Sequence, residues 1–584
     1  MPLWVLWSVA RGDWLCPQKI AGLKKMTNWR FKLIFIFLIC FSLLILYRLY
    51  CLQIQKGEYY EALAKGQQIS FGEIKGERGG IFFNEEKIPL AQTKKKNIIY
   101  VFSQKIPQEE FTETAGILSE VLMEKKEDLL SFFKTGNTLK REVSKQVLEQ
   151  IETKKLKGIV ADKVWGRVYP QKGLASHILG FLNTKGEGQY GIESSYNEIL
   201  EGEKEFGQKG KSPLGYLTLF FKERKNVLKG ADIFLTLNYK LQYFTEKLLL
   251  KAKEQWNIDS GQIIVIEPKT GKILALAVFP SFDPNCYGEE KNYDVFLNPV
   301  FQKLFELGSV FKPITFAAAV EEGLITPEMT YIDEGFINIG GPSIHNYGRR
   351  VWGEQSMTDV LEESINTGAV FVQQKLGPTL FLKYLKNFGL FEKTEIDLAG
   401  EVFSENKTLI EESRPRDLAV ASFGQGIQST PIQLVRFFGA IANHGNLMRP
   451  FVVEKIVKPD GQIMETRSQI QKKVMSAETS ATLSSMLISV VDNGAARKAK
   501  IAGYSIAGKT GTAQVPLKEN RGYSDTETIQ SFISFFPAME PRFLIYVKLD
   551  NPKAKDSGQS AVPLGQELIK YIIDLWQIPP DYEI

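Results

Sequence analysis

The chain has 584 residues, more than one ordinary core holds, so two or more domains are expected behind any targeting segment. Its 72 Lys and Arg stand against 67 Asp and Glu, with no concentrated arginine-rich run of the kind that neutralises a phosphate backbone, so no nucleic-acid partner is expected. The four cysteines (Cys16, Cys40, Cys51, Cys286) are widely spaced, and the three histidines (His177, His345, His444) fall in polar or turn-like settings without a cysteine or acidic cluster. That pattern argues against a disulfide framework, a zinc site or a histidine triad.

The first 25 residues carry Trp4, Trp7 and Trp14 without a helical or strand period. Met26 opens the compact basic run MTNWRFKLIF, which makes it an alternative start of translation to Met1. Leu33–Tyr47 is fifteen uncharged residues bounded by Lys32 and Arg48, short of the ~20 that a bilayer core requires. Both flanking cations can snorkel, and Leu49, Tyr50, Leu52 and Ile54 extend the apolar face, so a transmembrane helix is expected over 31–53. No small-residue cleavage site follows, and Tyr50 and Arg48 spoil a lipoprotein-type site at Cys51, so the span reads as a retained anchor. Lys19, Lys24, Lys25, Arg30 and Lys32 precede it, which places 1–30 in the cytoplasm and everything beyond about residue 54 outside.

From Gly57 to about Gly230 the chain is rich in Lys and Glu and reads as an irregular α+β module. Helices are expected over Glu110–Leu122 and Glu142–Ile151, and a strand over Asn97–Phe102. The Arg78-Gly79-Gly80-Ile81 and Gly186–Gly191 stretches read as tight turns rather than phosphate cradles, since no strand, glycine loop and helix follow one another there. The charged stretch Lys222–Lys229 marks a boundary, giving a module at 54–228 and a second domain at 229–584. In the latter, Asp232–Leu237 begins a strand pattern and Leu241–Trp256 has helical spacing. Gln262–Glu267 and Ile273–Val278 form two strands joined by the turn Pro268-Lys269-Thr270-Gly271-Lys272.

Three triplets then follow in order: Ser309-Val310-Phe311-Lys312, Ser364-Ile365-Asn366 and Lys509-Thr510-Gly511-Thr512. Decoys exist at Ser131…Lys134, Ser404…Lys407, Ser195…Asn197, Lys134-Thr135-Gly136 and Lys269-Thr270-Gly271, but only the first three share a domain, an order and fitting local elements. Ser309 opens the apolar helix Val310–Val320, whose N-terminus suits an oxyanion. Lys312 at i+3 lies on the same face and can approach Ser309 Oγ. To act as a base it must be held below its usual pKa of about 10.4 by burial and a second cation, for which Lys509 is the candidate. Asp359–Ser364 looks helical and breaks at Asn366-Thr367-Gly368, putting Ser364, a proton relay, and Asn366, an amide donor or acceptor, on a helix-to-loop corner. Tyr504–Ala513 alternates like an edge strand along which an extended peptide could lie, with Lys509, Thr510 and Thr512 facing a carboxylate and Gly511 permitting close approach.

With these motifs the chain resembles the class B penicillin-binding proteins, the membrane-anchored peptidoglycan D,D-transpeptidases that include cell-division and stage V sporulation types. The likeness runs through Arg78–Ala91 (RGGIFFNEEKIPLA), Gly191–Gly202 (GIESSYNEILEG), Gly271–Asn285 (GKILALAVFPSFDPN), Gly424–Leu434 (GQGIQSTPIQL) and the PAMEPRF…LDNP pattern of Pro537–Pro552. Phe83-Asn84, Pro299 and Leu307 depart from the usual residues at their positions. The resemblance implies an α/β (α+β) transpeptidase domain with a five-stranded antiparallel sheet and a helical subdomain, on an elongated pedestal. It implies a Ser309 acyl-enzyme, Lys312 as base, and backbone N–H groups of Ser309 and Thr512 as the oxyanion hole. It also implies stem peptides and lipid II-derived glycan as substrates, β-lactams as inhibitors, no cofactor, and a SEDS-type glycosyltransferase and other divisome or elongasome proteins as partners. A β-lactamase-like hydrolase lacks its Glu-x-x-Leu-Asn loop here, the intact triplets oppose a purely non-catalytic penicillin sensor or divisome scaffold, and the 55–230 module disfavours a bifunctional glycosyltransferase.

Overall fold

The computed structural model describes residues 29–55, 69–75, 77–83, 87–154, 156–202, 204–211, 217–218, 229–410, 413–516 and 522–583. The candidate start at Met26 and residues 222–228 of the expected boundary lie outside them. The chain divides into two compact units, 1–74 with 206–225, and 75–205 with 226–584. In the first unit, helix α1 (Trp29–Tyr50) exposes its side chains from Leu33 onward. The apolar stretch Leu33–Ile54 is long and apolar enough to cross a membrane. At 1.5 Å per residue it reaches about 33 Å, so the snorkelling extension supplies the length that the fifteen-residue run lacked.

The second unit opens with β1 (Ile81–Phe83), β2 (Pro89–Phe102), α2 (Phe111–Leu122), β3 (Thr138–Val143), α3 (Lys145–Lys154) and β4 (Ile159–Val168). Both β3 and β4 pair antiparallel with β2, and α2 and α3 bury Leu118, Leu148 and Ile151 in a small core of their own with Ile99 and Val101. The expected helix at Glu142–Ile151 begins only at Lys145. Glu142 and Val143 are held extended by pairing with Ile98 and Asn97, and Ser144 Oγ then accepts from Val147 N at 3.2 Å, starting the helix. Sheet pairing overrides local helical spacing at that end.

Strand β5 (Asp232–Leu235) runs parallel to β1, matching Ile233 with Ile81. The glycines here do more than turn. A Cβ on Gly79 would lie 1.9 Å from Ala231 O, and one on Gly230 1.8 Å from Leu200 O, so the two chain passages touch backbone to backbone. Beside them, Arg78 and Arg167 converge on the fully buried Glu193.

Helix α4 (Tyr239–Trp256), N-capped by Asn238, precedes β6 (Ser260–Ile266) and β7 (Ile273–Phe279). Lys269-Thr270-Gly271 is the turn between them, with Gly271 N donating to Glu267 O at 2.9 Å, which disposes of that decoy. Next come β8 (Phe305–Glu306), α5 (Lys312–Glu321), α6 (Met357–Glu362), α7 (Asn366–Asn387, interrupted at Gly377-Pro378), α8 (Pro431–Ala442), β9 (Val453–Val457) and β10 (Ile463–Glu465). Strand β9 flanks β5 on the side opposite β1. The chain closes with α9 (Ala477–Asp492), β11 (Ala507–Pro516), β12 (Tyr523–Phe536), β13 (Phe543–Asp550) and α10 (Ala561–Trp576).

The expected five-stranded antiparallel sheet is ordered β7-β6-β13-β12-β11, with β11 outermost. Strand β13, FLIYVKLD, is buried almost throughout, and its first five residues are apolar on both faces because both are covered. One face carries α4 and α10: a Cβ on Gly261 would meet Leu249 of α4, and one on Gly565 of α10 would meet Phe532. The opposite face receives the turn that bears Ser309, since a Cβ on Gly511 of β11 would lie 3.0 Å from Val310 Cγ1.

Candidate active site

Ser309 lies in a 3₁₀ turn, Gly308–Phe311, and α5 begins only at Lys312, with Pro313 in its first turn. The α-helix expected from Val310 thus starts later. In a 3₁₀ turn side chains at i and i+3 eclipse, so Ser309 and Lys312 are still brought to one side. The turn is fixed by glycine contact. Gly308, at φ +62°, donates its N–H to Gly424 O at 2.9 Å, and a Cβ on Gly424, at φ +83°, would lie 2.2 Å from Gly308 O. Val310 and Phe311 are fully buried and leave Ser309 half-buried at the surface of the core.

Lys312 is 0% exposed although it carries an amine. Its Nζ donates to Ser364 O at 2.5 Å and to Asn366 Oδ1 at 2.8 Å, and lies 3.2 Å from Ser364 Oγ. Lys509, also 0% exposed, donates to the same Ser364 Oγ at 2.9 Å and to Thr510 O at 3.1 Å. Neither lysine has a carboxylate within ion-pair distance among the described residues. Burial holds Lys312 well below the usual lysine range, and the neighbouring Lys509 charge adds to the effect. Burial also brings Lys509 down to about 7, with the Glu363 carboxylate pulling in the other direction. The expected second cation is therefore at hand, but desolvation is the larger cause.

Ser364 stands between α6 and α7 at φ +57°, an uncommon conformation for a residue with a Cβ. This turns both its carbonyl and its hydroxyl toward Lys312. The helix expected to break at Asn366 in fact ends at Glu362, and Asn366 opens α7. Asn346, twenty positions upstream, makes this start possible: its Oδ1 accepts from Asn366 N at 3.0 Å and Thr367 N at 3.1 Å. Asn346 is itself held by Asp333, whose carboxylate accepts from Asn346 Nδ2, Thr367 Oγ1 and Trp352 N. Asn366 Nδ2 donates to His345 O at 3.1 Å, fixing which amide atom faces Lys312.

On β11 the register separates residues expected together. Lys509 and Gly511 share the face of Ser309, whereas Thr510 and Thr512 lie on the other. Thr512 Oγ1 is 3.2 Å from Ser557 Oγ and accepts from Ser557 N. The outer edge of β11, which no strand covers among the described residues, offers backbone groups to an extended peptide.

The structure thus brings Lys312, Ser364, Asn366 and Lys509 into one hydrogen-bonded group, with Ser309 one 3₁₀ turn from Lys312. Sequence reasoning missed Glu363, Asn346, Asp333 and Ser557. Only Glu363, adjacent to Ser364, carried a local signal. His177 is another difference: it is buried, edge-on to Phe282, rather than in a polar turn.

The arrangement provides a hydroxyl nucleophile, an amine held well below the usual lysine pKa and a second amine bridged to it by a hydroxyl, the equipment of serine acyl transfer. Residues 261–570 match the family described as penicillin binding protein transpeptidase domain, and 73–235 the penicillin-binding protein dimerisation domain. The peptidoglycan D,D-transpeptidase FtsI homolog of Mesostigma viride is 31% identical over 94% of this chain and 96% of its own length. The stage V sporulation protein D of Bacillus subtilis is 32% identical over 93% of this chain and 85% of its own. Among solved structures, penicillin binding protein 3 from Mycobacterium tuberculosis, complexed with aztreonam, superposes with a TM-score of 0.68 at 25% identity, covering 88% of this chain and 98% of that one.

Proposed function

The chain belongs to the class B penicillin-binding proteins, and from that premise we propose how its own residues carry out serine D,D-transpeptidation of peptidoglycan. Ser309 Oγ attacks the carbonyl between the two terminal D-alanines of a stem peptide. Lys312, kept neutral by burial, has two N–H bonds, which its two carbonyl acceptors Ser364 O and Asn366 Oδ1 occupy. Its lone pair is left to take the Ser309 proton. The tetrahedral oxygen is held by the backbone N–H groups of Ser309 and Thr512, and the substrate carboxylate by the Thr510–Thr512 strand, with Gly511 allowing the approach. The departing D-alanine nitrogen receives its proton from Lys312 through Ser364, whose hydroxyl Lys509 polarises at 2.9 Å. An amine from a neighbouring stem then takes the acyl group by the reverse path, forming the cross-link.

The observation that carries this reading is the pair of fully buried lysines meeting at Ser364 with no carboxylate within ion-pair distance among the described residues. Burying an amine this way is costly unless its neutral form is wanted. The β-lactam in the solved relative occupies a penicillin-binding protein, and here a β-lactam would be trapped as the Ser309 acyl-enzyme. Labelling with fluorescent penicillin tests it: Ser309→Ala should lose the label entirely, and undiminished covalent labelling of that variant would refute the assignment.

The same reading makes α1 a retained single-pass anchor with a cytoplasmic N-terminus, residues 54–228 the pedestal and 229–584 the extracytoplasmic catalytic domain. Basic residues ahead of the span support that orientation. A SEDS-type glycosyltransferase is the membrane partner it calls for, and failure to co-purify in mild detergent would count against that pairing.

A further inference from the structure

Strand β8 carries a carboxyl three residues ahead of the nucleophile, Glu306, which none of the steps above uses. Lys548 Nζ lies 5.2 Å over the ring of Phe305, so alternation along β8 turns the half-buried Glu306 to the other side, away from that lysine. There Glu306 Oε2 accepts from Tyr523 Oη at 3.0 Å, and the Gly426 backbone N–H faces the same carboxyl. Both partners are neutral. No Lys, Arg or His among the described residues lies within ion-pair distance of Glu306, and burial pushes its carboxyl above the usual range by more than those two donors pull it down.

The segment that bears Ser309 runs along the face of β11 that carries Lys509, and its course there places Glu306. A Cβ on Gly511 would lie 3.0 Å from Val310 Cγ1, and one on Gly308 would lie 2.8 Å from Ala513 Cβ. One step further along, Glu306 meets Tyr523, the residue paired with Pro516. In the transpeptidation reading the scissile carbonyl stands at Thr512 and the terminal carboxylate toward Lys509 and Thr510. The donor stem then runs antiparallel to β11, and the residues ahead of its D-alanines pass Ala513 toward Pro516. At ~3.3 Å per residue Pro516 is about 13 Å beyond Thr512; the residue before the acyl-forming D-alanine covers about half of that, and a long side chain covers the remainder. A stem that serves as acceptor must carry an amine, and donor and acceptor stems belong to one polymer, so the donor brings the same amine into the cleft. An ammonium arriving there finds a carboxyl that has hydrogen-bond donors and no counter-charge.

We infer that Glu306 is a specificity-determining residue, its carboxylate binding the side-chain ammonium of the residue that precedes the terminal D-alanyl-D-alanine of the donor stem. The site then favours donors whose amine is still free over those in which it is already acylated. The inference rests on the transpeptidation reading, since that reading sets the direction of the stem along β11.

Two penicillins test it on the detergent-solubilised full chain, one made by acylating 6-aminopenicillanic acid with Nα-acetyl-lysine and the other with Nα,Nε-diacetyl-lysine, so that the lysyl group takes the place of the donor residue. Their acylation rate constants are read by competition with fluorescent penicillin. The free ammonium should acylate the parent chain about tenfold faster or more, as expected of a partly buried charge pair, and Glu306→Gln should bring the ratio to about one. A general disturbance of the nucleophile's turn would lower both rates and leave their ratio. The parent chain also answers without any variant: an Nα-acetyl-2,3-diaminopropionyl penicillin, whose ammonium stops short of Glu306, should lose most of the advantage. Equal rates for the two lysyl penicillins, an advantage that the short probe keeps, or a ratio that Glu306→Gln leaves unchanged overturns the inference while fluorescent labelling still upholds Ser309. A parent chain that fluorescent penicillin fails to label overturns both.

Discussion

Two clusters of buried cations lie in the same compact unit, and they are built on opposite terms. In the pedestal segment, Arg78 Nε and Arg167 Nε each donate to Glu193 at 2.7 Å, Arg78 Nη1, Arg78 Nη2 and Arg167 Nη1 reach Asn197 Oδ1, Glu193 O and Gly79 O, and Arg167 Nη2 is buried without a partner among the described residues. In the cleft, Lys312 and Lys509 are equally buried and, among the described residues, have only neutral acceptors. Burial alone would raise the Glu193 carboxyl, but Arg167 and Arg78 outweigh it and hold it below the usual range. Among the described residues no carboxylate pairs with the lysines, and the Glu363 charge only partly offsets burial at Lys509, so their ammonium forms are disfavoured. The contrast separates burial that fastens a fold from burial that prepares a reagent: a buried charge with its counter-charge is structural, and one denied it gives up its proton.

The largest effects should split along that line. Lys312→Met should lower the rate of acylation by fluorescent penicillin at least about a thousandfold, within the range of a lost general base, while the melting temperature holds or rises. Glu193→Gln should do the reverse. It leaves two guanidinium groups buried against a neutral amide, which costs about 3–5 kcal/mol of stability, with the acylation rate of the remaining folded protein little changed. A Lys312→Met chain that unfolds, or a Glu193→Gln chain as stable as the parent, would erase the distinction.

Titration should raise stability with pH at both clusters, but in separate windows: at the pedestal pair because a favourable charge is restored, at the cleft because an unfavourable one is removed. Glu193 has a folded pKa below its unfolded value of about 4.3, so the stability it contributes is complete above that value and lost as pH falls through the folded one. The lysines have folded pKa values below the unfolded value of about 10.4. Between about 7, where Lys509 titrates when folded, and 10.4 the unfolded chain binds more protons, so stability should climb with pH by up to about 1.4 kcal/mol per unit for each titrating lysine. Chemical denaturation at pH 7, 8 and 9, with Lys312→Met and Lys509→Met as controls, reads this directly. A parent chain whose pH slope equals that of both variants would mean that the lysines are charged and paired after all.

What the sequence revealed and what it hid follow from the reach of the interactions involved. The Ser309–Lys312 pair was legible because both residues belong to one turn, and so was the Lys269 decoy, whose turn closes from Gly271 onto Glu267 four residues back. The edge position of β11 followed from its alternation and glycines. Glu142 was misread because its strand partner, Ile98, lies forty-four positions upstream. His177 was misread because the aromatic ring that buries it, Phe282, comes from beyond the expected domain boundary. Thr510 and Thr512 were grouped with Lys509 because a list of polar residues does not say which face of a strand each takes. Asn366 was assigned to the end of a helix because the group that caps its own helix is Asn346, in a loop whose local pattern gives no sign of it.

That cap sets the smallest and most discriminating effect. Ile365, at the N-cap position of α7, supplies no side-chain cap, so Asn346 Oδ1 alone takes the N–H groups of Asn366 and Thr367. Asn346→Ala should cost about 1–2 kcal/mol of stability, the usual loss of a helix cap together with a thinner hydrogen-bond shell for Asp333. If the cap served the fold alone, acylation per folded molecule would not change. But the amide it positions is an acceptor of Lys312 Nζ at 2.8 Å, and a drift of Asn366 frees an N–H that competes with the lone pair for the direction of Ser309. Acylation should therefore fall several-fold beyond the loss of folded protein, and its pH dependence should shift, because Lys312 loses an acceptor that served its neutral form. A variant that melts earlier and yet acylates with the parent rate and pH profile would place Asn346 with Glu193 among the residues that only hold the molecule together.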